Sequence, residues 1–191
     1  MDAYVYLRIK PGSVENVVAG LRGRPGIRRA TAVVGEWDAM VAVEGASLRE
    51  VARTVLRQIH ELEGVTRTYT APVVSFGTFA ILGGGFALPA IPMHRQGNAC
   101  YVHIIAASGA VVGIVERLAE LDDVSGVAVI SGEYDVLAEI PLPWEQAGRI
   151  ILEEIHSIPG VISTTTVVAV PAELDEDGPD DEDRDQFSAW S

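Results

Sequence analysis

The chain has 191 residues, 48% of them hydrophobic and 21% charged, with a formal charge of −13. That apolar content with regular periodicity makes a folded body and not a disordered chain, and the negative balance offers no field for phosphates, which argues against direct nucleic-acid binding. The one cysteine, Cys100, cannot form an intramolecular disulfide; it falls in a predicted strand as a small core residue and suits a reducing compartment. Met1-Asp2-Ala3 leads straight into a strand, with no basic n-region and no apolar h-region, so a cytoplasmic location is expected.

In chain order, residues 3–9 read as a strand, because Val5, Leu7 and Ile9 alternate with Tyr4, Tyr6 and Arg8. Pro11-Gly12-Ser13 turns into a helix whose apolar face is Val14, Val17, Val18 and Leu21, stopped by Pro25-Gly26. A second strand spans 27–34 and a third 37–43, with Gly35-Glu36 turning between them. Ser47 and Glu50 have capping-box spacing, followed by one apolar stripe of Leu48, Val51, Ala52, Val55, Leu56 and Ile59. A fourth strand runs from Val65 to about Val74. The same β-α-β-β-α-β order recurs after Asn98: strand 99–106, helix 110–121, strands 124–131 and 134–140, helix 143–157, strand 161–170.

The recurrence is visible in the residues. Gly35-Glu36-Trp37-Asp38 returns 97 residues later as Gly132-Glu133-Tyr134-Asp135, and Tyr4-Val5-Tyr6-Leu7 matches Tyr101-Val102-His103-Ile104 at the same offset. Ile59-His60 matches Ile155-His156 at an offset of 96, so the second copy has lost one residue between these landmarks. The expected fold is therefore α+β: two tandem ferredoxin-like βαββαβ domains at 1–75 and 98–171, each a four-stranded antiparallel sheet with two helices on one face. The other sheet face carries Tyr4, Tyr6 and Arg8 in one copy and Tyr101, His103 and Ile105 in the other. It is too apolar to leave wet, so the two sheets are expected to pack face to face as a pseudo-dimer.

Between the copies, 76–97 reads as an apolar Gly/Pro-containing linker. Val73 to Met93 holds no charge, which is long enough to raise a membrane span, but Gly83-Gly84-Gly85, Pro89 and Pro92 interrupt any helix and a span would separate two faces built to pair. No membrane association is expected. The tail, 172–191, has nine acids against the single base Arg184, with Phe187 and Trp190 near its end; it reads as a disordered solubilising tail or as a docking motif for a protein partner.

The doubled Gly-Glu-aromatic-Asp turn, the helices ending in Glu63-Gly64-Val65 or Pro159-Gly160-Val161, and the threonine-rich last strands (Thr66, Thr68, Thr70; Thr164, Thr165, Thr166) resemble the ligand-binding (RAM) domain of the Lrp/AsnC regulators. The resemblance covers about 3–75 and 98–171. Family members typically carry an N-terminal helix-turn-helix; only three residues precede the first strand here, so a stand-alone tandem effector module is expected, without its own DNA-binding domain. The resemblance implies homo-oligomers and a small-molecule effector, an amino acid or related metabolite, held between domains near the strand 2–3 turn and the last strand. By position the ligand-binding residues would be Gly35, Trp37, Asp38, Thr68 and Thr70 in the first copy and Gly132, Tyr134, Asp135, Thr164 and Thr166 in the second. An aspartate suits an α-amino group, and turn N–H groups and threonine hydroxyls suit an α-carboxylate. The same aspartates also fit plain turn chemistry, and threonines are ordinary strand formers.

No catalytic residues, metal site or cofactor are expected. His60 and His156 sit where helix dipoles favour a histidine; there is no zinc-ligand spacing, no phosphate loop and no nucleophile elbow. A structural adaptor and an enzyme of the dimeric ferredoxin-like kind are the other two readings.

Overall fold

The computed structural model describes residues 1–74, 92–93 and 98–170. Nearly all of the connector 76–97 and the whole tail 172–191 fall outside the described residues.

Among the described residues, eight strands and four helices lie close to where the hydrophobic periods place them. The first half runs β1 (Asp2–Ile9), α1 (Val14–Leu21), β2 (Ile27–Val34), β3 (Ala39–Glu44), α2 (Leu48–Thr54) and β4 (Val65–Pro72). The second runs β5 (Cys100–Ala106), α3 (Val111–Ala119), β6 (Gly126–Val129), β7 (Val136–Ile140), α4 (Trp144–Glu153) and β8 (Val161–Ala169). α2 continues into a π-helical turn, Val55–Ile59, and α4 is followed by a 3₁₀ turn, Ile155–Ser157. The α2 cap forms as the sequence suggests, with a shift of one residue: Ser47 accepts the Glu50 N–H, while the Glu50 carboxylate takes the N–H of Ala46 and not that of Ser47. The residue missing from the second copy falls between β7 and α4. Ala3 pairs with Val43 and Cys100 with Ile140, yet four residues separate Val43 from α2 and three separate Ile140 from α4.

The chain is α+β with an antiparallel sheet, but the expectation of two separate sheets is corrected. There is one eight-stranded sheet, ordered β4-β1-β3-β2-β8-β5-β7-β6. The halves join edge to edge at the ends of β2 and β8, where Val33 pairs with Ala169 and Val34 with Val168. The outer ends also meet: Val73 bridges Ile130, Val74 N–H donates to the Val129 carbonyl and Ser131 N–H to that of Pro72. Edge strands carry unpaired N–H and C=O groups, and the joins at both sides pair those at the strand ends.

Closure gives the molecule three cores. Val5, Leu7 and Ile9 pack on Val17, Leu21, Val51 and Ile59 on the helix side of the first half. Val102 and Ile104 pack on Ile114, Leu118, Ile151 and Ile155 in the second. The opposite faces of both halves share one interior: Tyr4, Tyr6, Trp37 and Met40 with Tyr101, Tyr134, Leu137 and Val167. Tyr4, Tyr6 and Tyr101 are among the residues that alternation assigns to the bare face, and burying each large apolar side chain is worth roughly 1.5–3 kcal/mol. Two polar side chains are buried there among the described residues, His103 and Glu139.

Candidate functional site

Both Gly-Glu-aromatic-Asp turns place their aspartates at the end of a neighbouring strand. β3 begins at Ala39, so beyond Leu7 the next inward-pointing N–H of β1, that of Ile9, has no strand partner on that side. The Asp38 carboxylate supplies one: Ile9 N–H donates to its Oδ2 at 2.7 Å, while Asp38 N–H donates to the Leu7 carbonyl at 3.0 Å. The second half repeats this with Ala106 N–H to Asp135 Oδ2 at 2.8 Å and Asp135 N–H to the Ile104 carbonyl at 2.9 Å. Each carboxylate therefore has one oxygen committed to the fold.

The glycines of the two turns back onto the other half. Gly35 has φ +141°, and a Cβ there would stand 3.0 Å from the Thr166 carbonyl and 3.1 Å from Val167 Cγ1. Gly132 has φ +143°, and a Cβ there would run into the Tyr69 hydroxyl. That hydroxyl in turn accepts the Glu133 N–H. So the first turn lies on β8 and the second on β4. Both positions need glycine for conformation and for space.

Trp37 and Tyr134 are buried at the two ends of an aromatic row through the shared interior. Trp37 stacks on Tyr69 with centroids 6.0 Å apart, Tyr69 on Tyr6 at 5.6 Å, Tyr6 meets His103 edge-on at 5.0 Å, and His103 lies 4.8 Å from Tyr134. The Tyr134 hydroxyl donates to Glu36 Oε2 at 2.8 Å, tying one turn to the other; burial and that carboxylate push its phenol up. His103 is 1% exposed. Its Nδ1 faces the Thr165 carbonyl at 3.2 Å, which can only accept, so Nδ1 carries the proton and Nε2 accepts from the Tyr6 hydroxyl at 2.9 Å. Burial lowers its pKa to about 4, leaving the ring neutral.

The four threonines lie on the other face. Thr68 pairs with Leu7 and Thr70 with Val5; Thr164 pairs with Ile104 and Thr166 with Val102, all core residues of the helix side. Thr68 Oγ1 bonds His60 Nε2 at 2.7 Å, and Thr164 Oγ1 bonds His156 Nε2 at 2.8 Å. The inward residues of the last strands are their neighbours Tyr69 and Thr165, one position off. The signal for them was in the sequence: the face that carries Tyr6 and His103 must carry their cross-strand partners, which the register makes Tyr69 and Thr165. An open surface depression lined by Asp2, Gly26, Glu44, Glu50, Arg53 and Gln58 lies at the far ends of β1 and β3 from Asp38 and includes none of these residues. Among the described residues, no cluster of three or more His, Cys, Asp or Glu can hold a metal ion, and no helix is long and apolar enough to cross a membrane.

The two turns share one design, and each is seated on the last strand of the opposite half. Residues 2–76 match the Lrp/AsnC ligand binding domain. HTH-type transcriptional regulators of Pyrococcus furiosus and Pyrococcus abyssi are 34% and 32% identical over 79 residues, 40% of this chain and 51% of each relative. The chain thus spans about half the length of the curated relatives it matches. The crystal structure of the siroheme decarboxylase NirDL superposes with a TM-score of 0.62 over 89% of this chain and 71% of its own, at 12% identity. That likeness covers both halves and shows the fold alone.

Proposed function

We propose that the chain is a small-molecule effector-binding and assembly module, with the Lrp/AsnC-type domain at 1–75 and a diverged second copy at 98–171 acting as its built-in dimer partner. The effector is an amino acid or related metabolite, and it binds where a strand 2–3 turn meets the last strand of the other half. The observation that carries this reading is the seating of Gly35 on Thr166 and of Gly132 on Tyr69. A turn whose aspartate has one carboxylate oxygen committed, lying against a second strand, offers the mixture of donors and acceptors that a zwitterion needs. The relatives are HTH-type transcriptional regulators; this chain would supply sensing and assembly in the cytoplasm. Association of further copies is supported by exposed apolar side chains at matched helix positions, Leu48 and Leu56 on one helix and Trp144 and Leu152 on the other.

An enzymatic reading on the same fold has less support, because both ring nitrogens of His103 are already engaged and the ring is held neutral. A thermal-shift screen of dialysed protein against the twenty common amino acids tests the proposal. A ligand at a hundred times its dissociation constant adds about 2.7 kcal/mol, which for a chain of this size is a rise of roughly 5–10 °C. No rise with any compound would set the sensing role aside in favour of an adaptor.

A further inference from the structure

The two turns differ in the charge and hydrogen bonding around them. Arg8 lies on the inner face of β1, its guanidinium 5.3 Å from the centroid of the Trp37 ring. The β1–β4 register sets Arg67 directly opposite it on the same face. Like charges across a strand pair are unfavourable, and among the described residues neither arginine makes an ion pair. The ring under Arg8 belongs to Trp37, which is 5% exposed with its indole N–H buried and without a hydrogen-bond partner. A buried donor left unmade is costly. Two facing cations, one of them over that ring, and an unused donor on the ring together lack a single thing, an anion with more than one acceptor atom. The second copy has none of this. The equivalents of Arg8, Arg67 and Trp37 are Ile105, Ser163 and Tyr134, and the Tyr134 hydroxyl is satisfied by Glu36.

We propose that the first half alone binds a small organic carboxylate, held by the guanidinium groups of Arg8 and Arg67 with the indole N–H of Trp37 as the third donor. This rests on the effector-binding reading above and narrows it: recognition of the anion, by the arginines, selects the ligand, and one of the two turns is the site. A planar carboxylate matches the guanidinium fork and draws the two arginines together instead of apart. Asp38, with one oxygen on the Ile9 N–H, serves the turn.

The test follows the Trp37 indole N–H resonance of the ¹⁵N-labelled full chain, assigned by its loss in Trp37→Phe. The probes are the twenty common amino acids, their C-terminal amides and the matching deaminated acids. The expected result is a saturable downfield move with at least one amino acid and its deaminated acid and none with its amide. Binding should weaken at least about tenfold in Arg67→Ser, which copies the second half, and in Arg8→Gln; Arg8→Lys should fall between. The exposed Arg67 site keeps the test valid if Arg8→Gln folds poorly. Amides binding as well as acids, with Arg67→Ser unaffected, would overturn the carboxylate proposal and leave the effector reading standing. No resonance anywhere responding to any probe would overturn both.

Discussion

Replacing Asp38 or Asp135 by alanine should destabilise the protein before any ligand is added. Each carboxylate accepts a backbone N–H that no strand reaches, Ile9 at 2.7 Å and Ala106 at 2.8 Å, and both sites are partly buried. Removing the acceptor leaves that N–H unmade, at a cost of about 1–3 kcal/mol. For a chain of this length each kcal/mol moves the melting temperature by about 2–4 °C, so each variant should melt roughly 2–12 °C below the parent. The two losses should be similar, because the two turns use the same bond. Asparagine keeps an accepting oxygen on the same stem and should recover about half the loss. The assay is urea or thermal unfolding of ligand-free protein, with the unchanged urea m-value as the check that only stability moved. Unaltered melting in both alanine variants would refute the structural role and return the aspartates to ligand contact. The comparison matters for any binding screen, since a lost shift in Asp38→Ala reports a weakened β1 end as readily as a lost ligand contact.

Three further outcomes follow from the interior. Gly132→Ala drives a methyl group into the Tyr69 hydroxyl at a φ that alanine resists, so it should cost more than about 2 kcal/mol in urea unfolding; adding Tyr69→Phe should recover part of it, and strict additivity would refute the clash. His103 is neutral in the folded chain down to about pH 4, while a free histidine protonates near 6.5. Between those values the unfolded chain binds the extra proton, so stability falls as pH drops through this window, by up to about 3 kcal/mol; His103→Asn should flatten that part of the melting-temperature profile. Arg67→Ser removes one of two facing cations and should leave ligand-free stability unchanged or raise it by up to about 1 kcal/mol in thermal melts, whereas a clear loss would mean that Arg67 has a structural partner.

The fold was legible because its signals are local and stated twice. Val5, Leu7 and Ile9 alternate with Tyr4, Tyr6 and Arg8, and the same pattern 97 residues on leaves two apolar faces with nothing else to cover them. What the pattern does not hold is how the faces meet. Edge-to-edge joining depends on the last residues of β2 and β8 meeting as Val33–Ala169 and Val34–Val168, which has no periodic signature. The face on which each residue of the proposed site lies was only partly legible. The turns were read correctly as glycine-bearing corners, but the threonines beside them sit on the helix face, and in a strand an error of one position reverses the face. Thr68 stands out by composition, yet it is Tyr69, cross-strand from Tyr6, that reaches the opposite turn.

Carrying both copies on one chain has a consequence that a symmetric dimer cannot have. In a dimer of identical subunits, a substitution at the turn or on the last strand changes both sites together. Here the copies are free to divide the work. Tyr69 closes over Gly132 and takes the Glu133 N–H, while its counterpart Thr165 is too short to do the same over Gly35. Tyr134 satisfies Glu36, while Trp37 is left with an N–H and no acceptor. Each departure from symmetry fills the second turn with protein and leaves donors unmet at the first. That is the pattern expected if one turn holds the two halves together and the other is kept for a ligand, and it predicts one equivalent bound per chain, which titration calorimetry will count; two equivalents of equal affinity would refute the division.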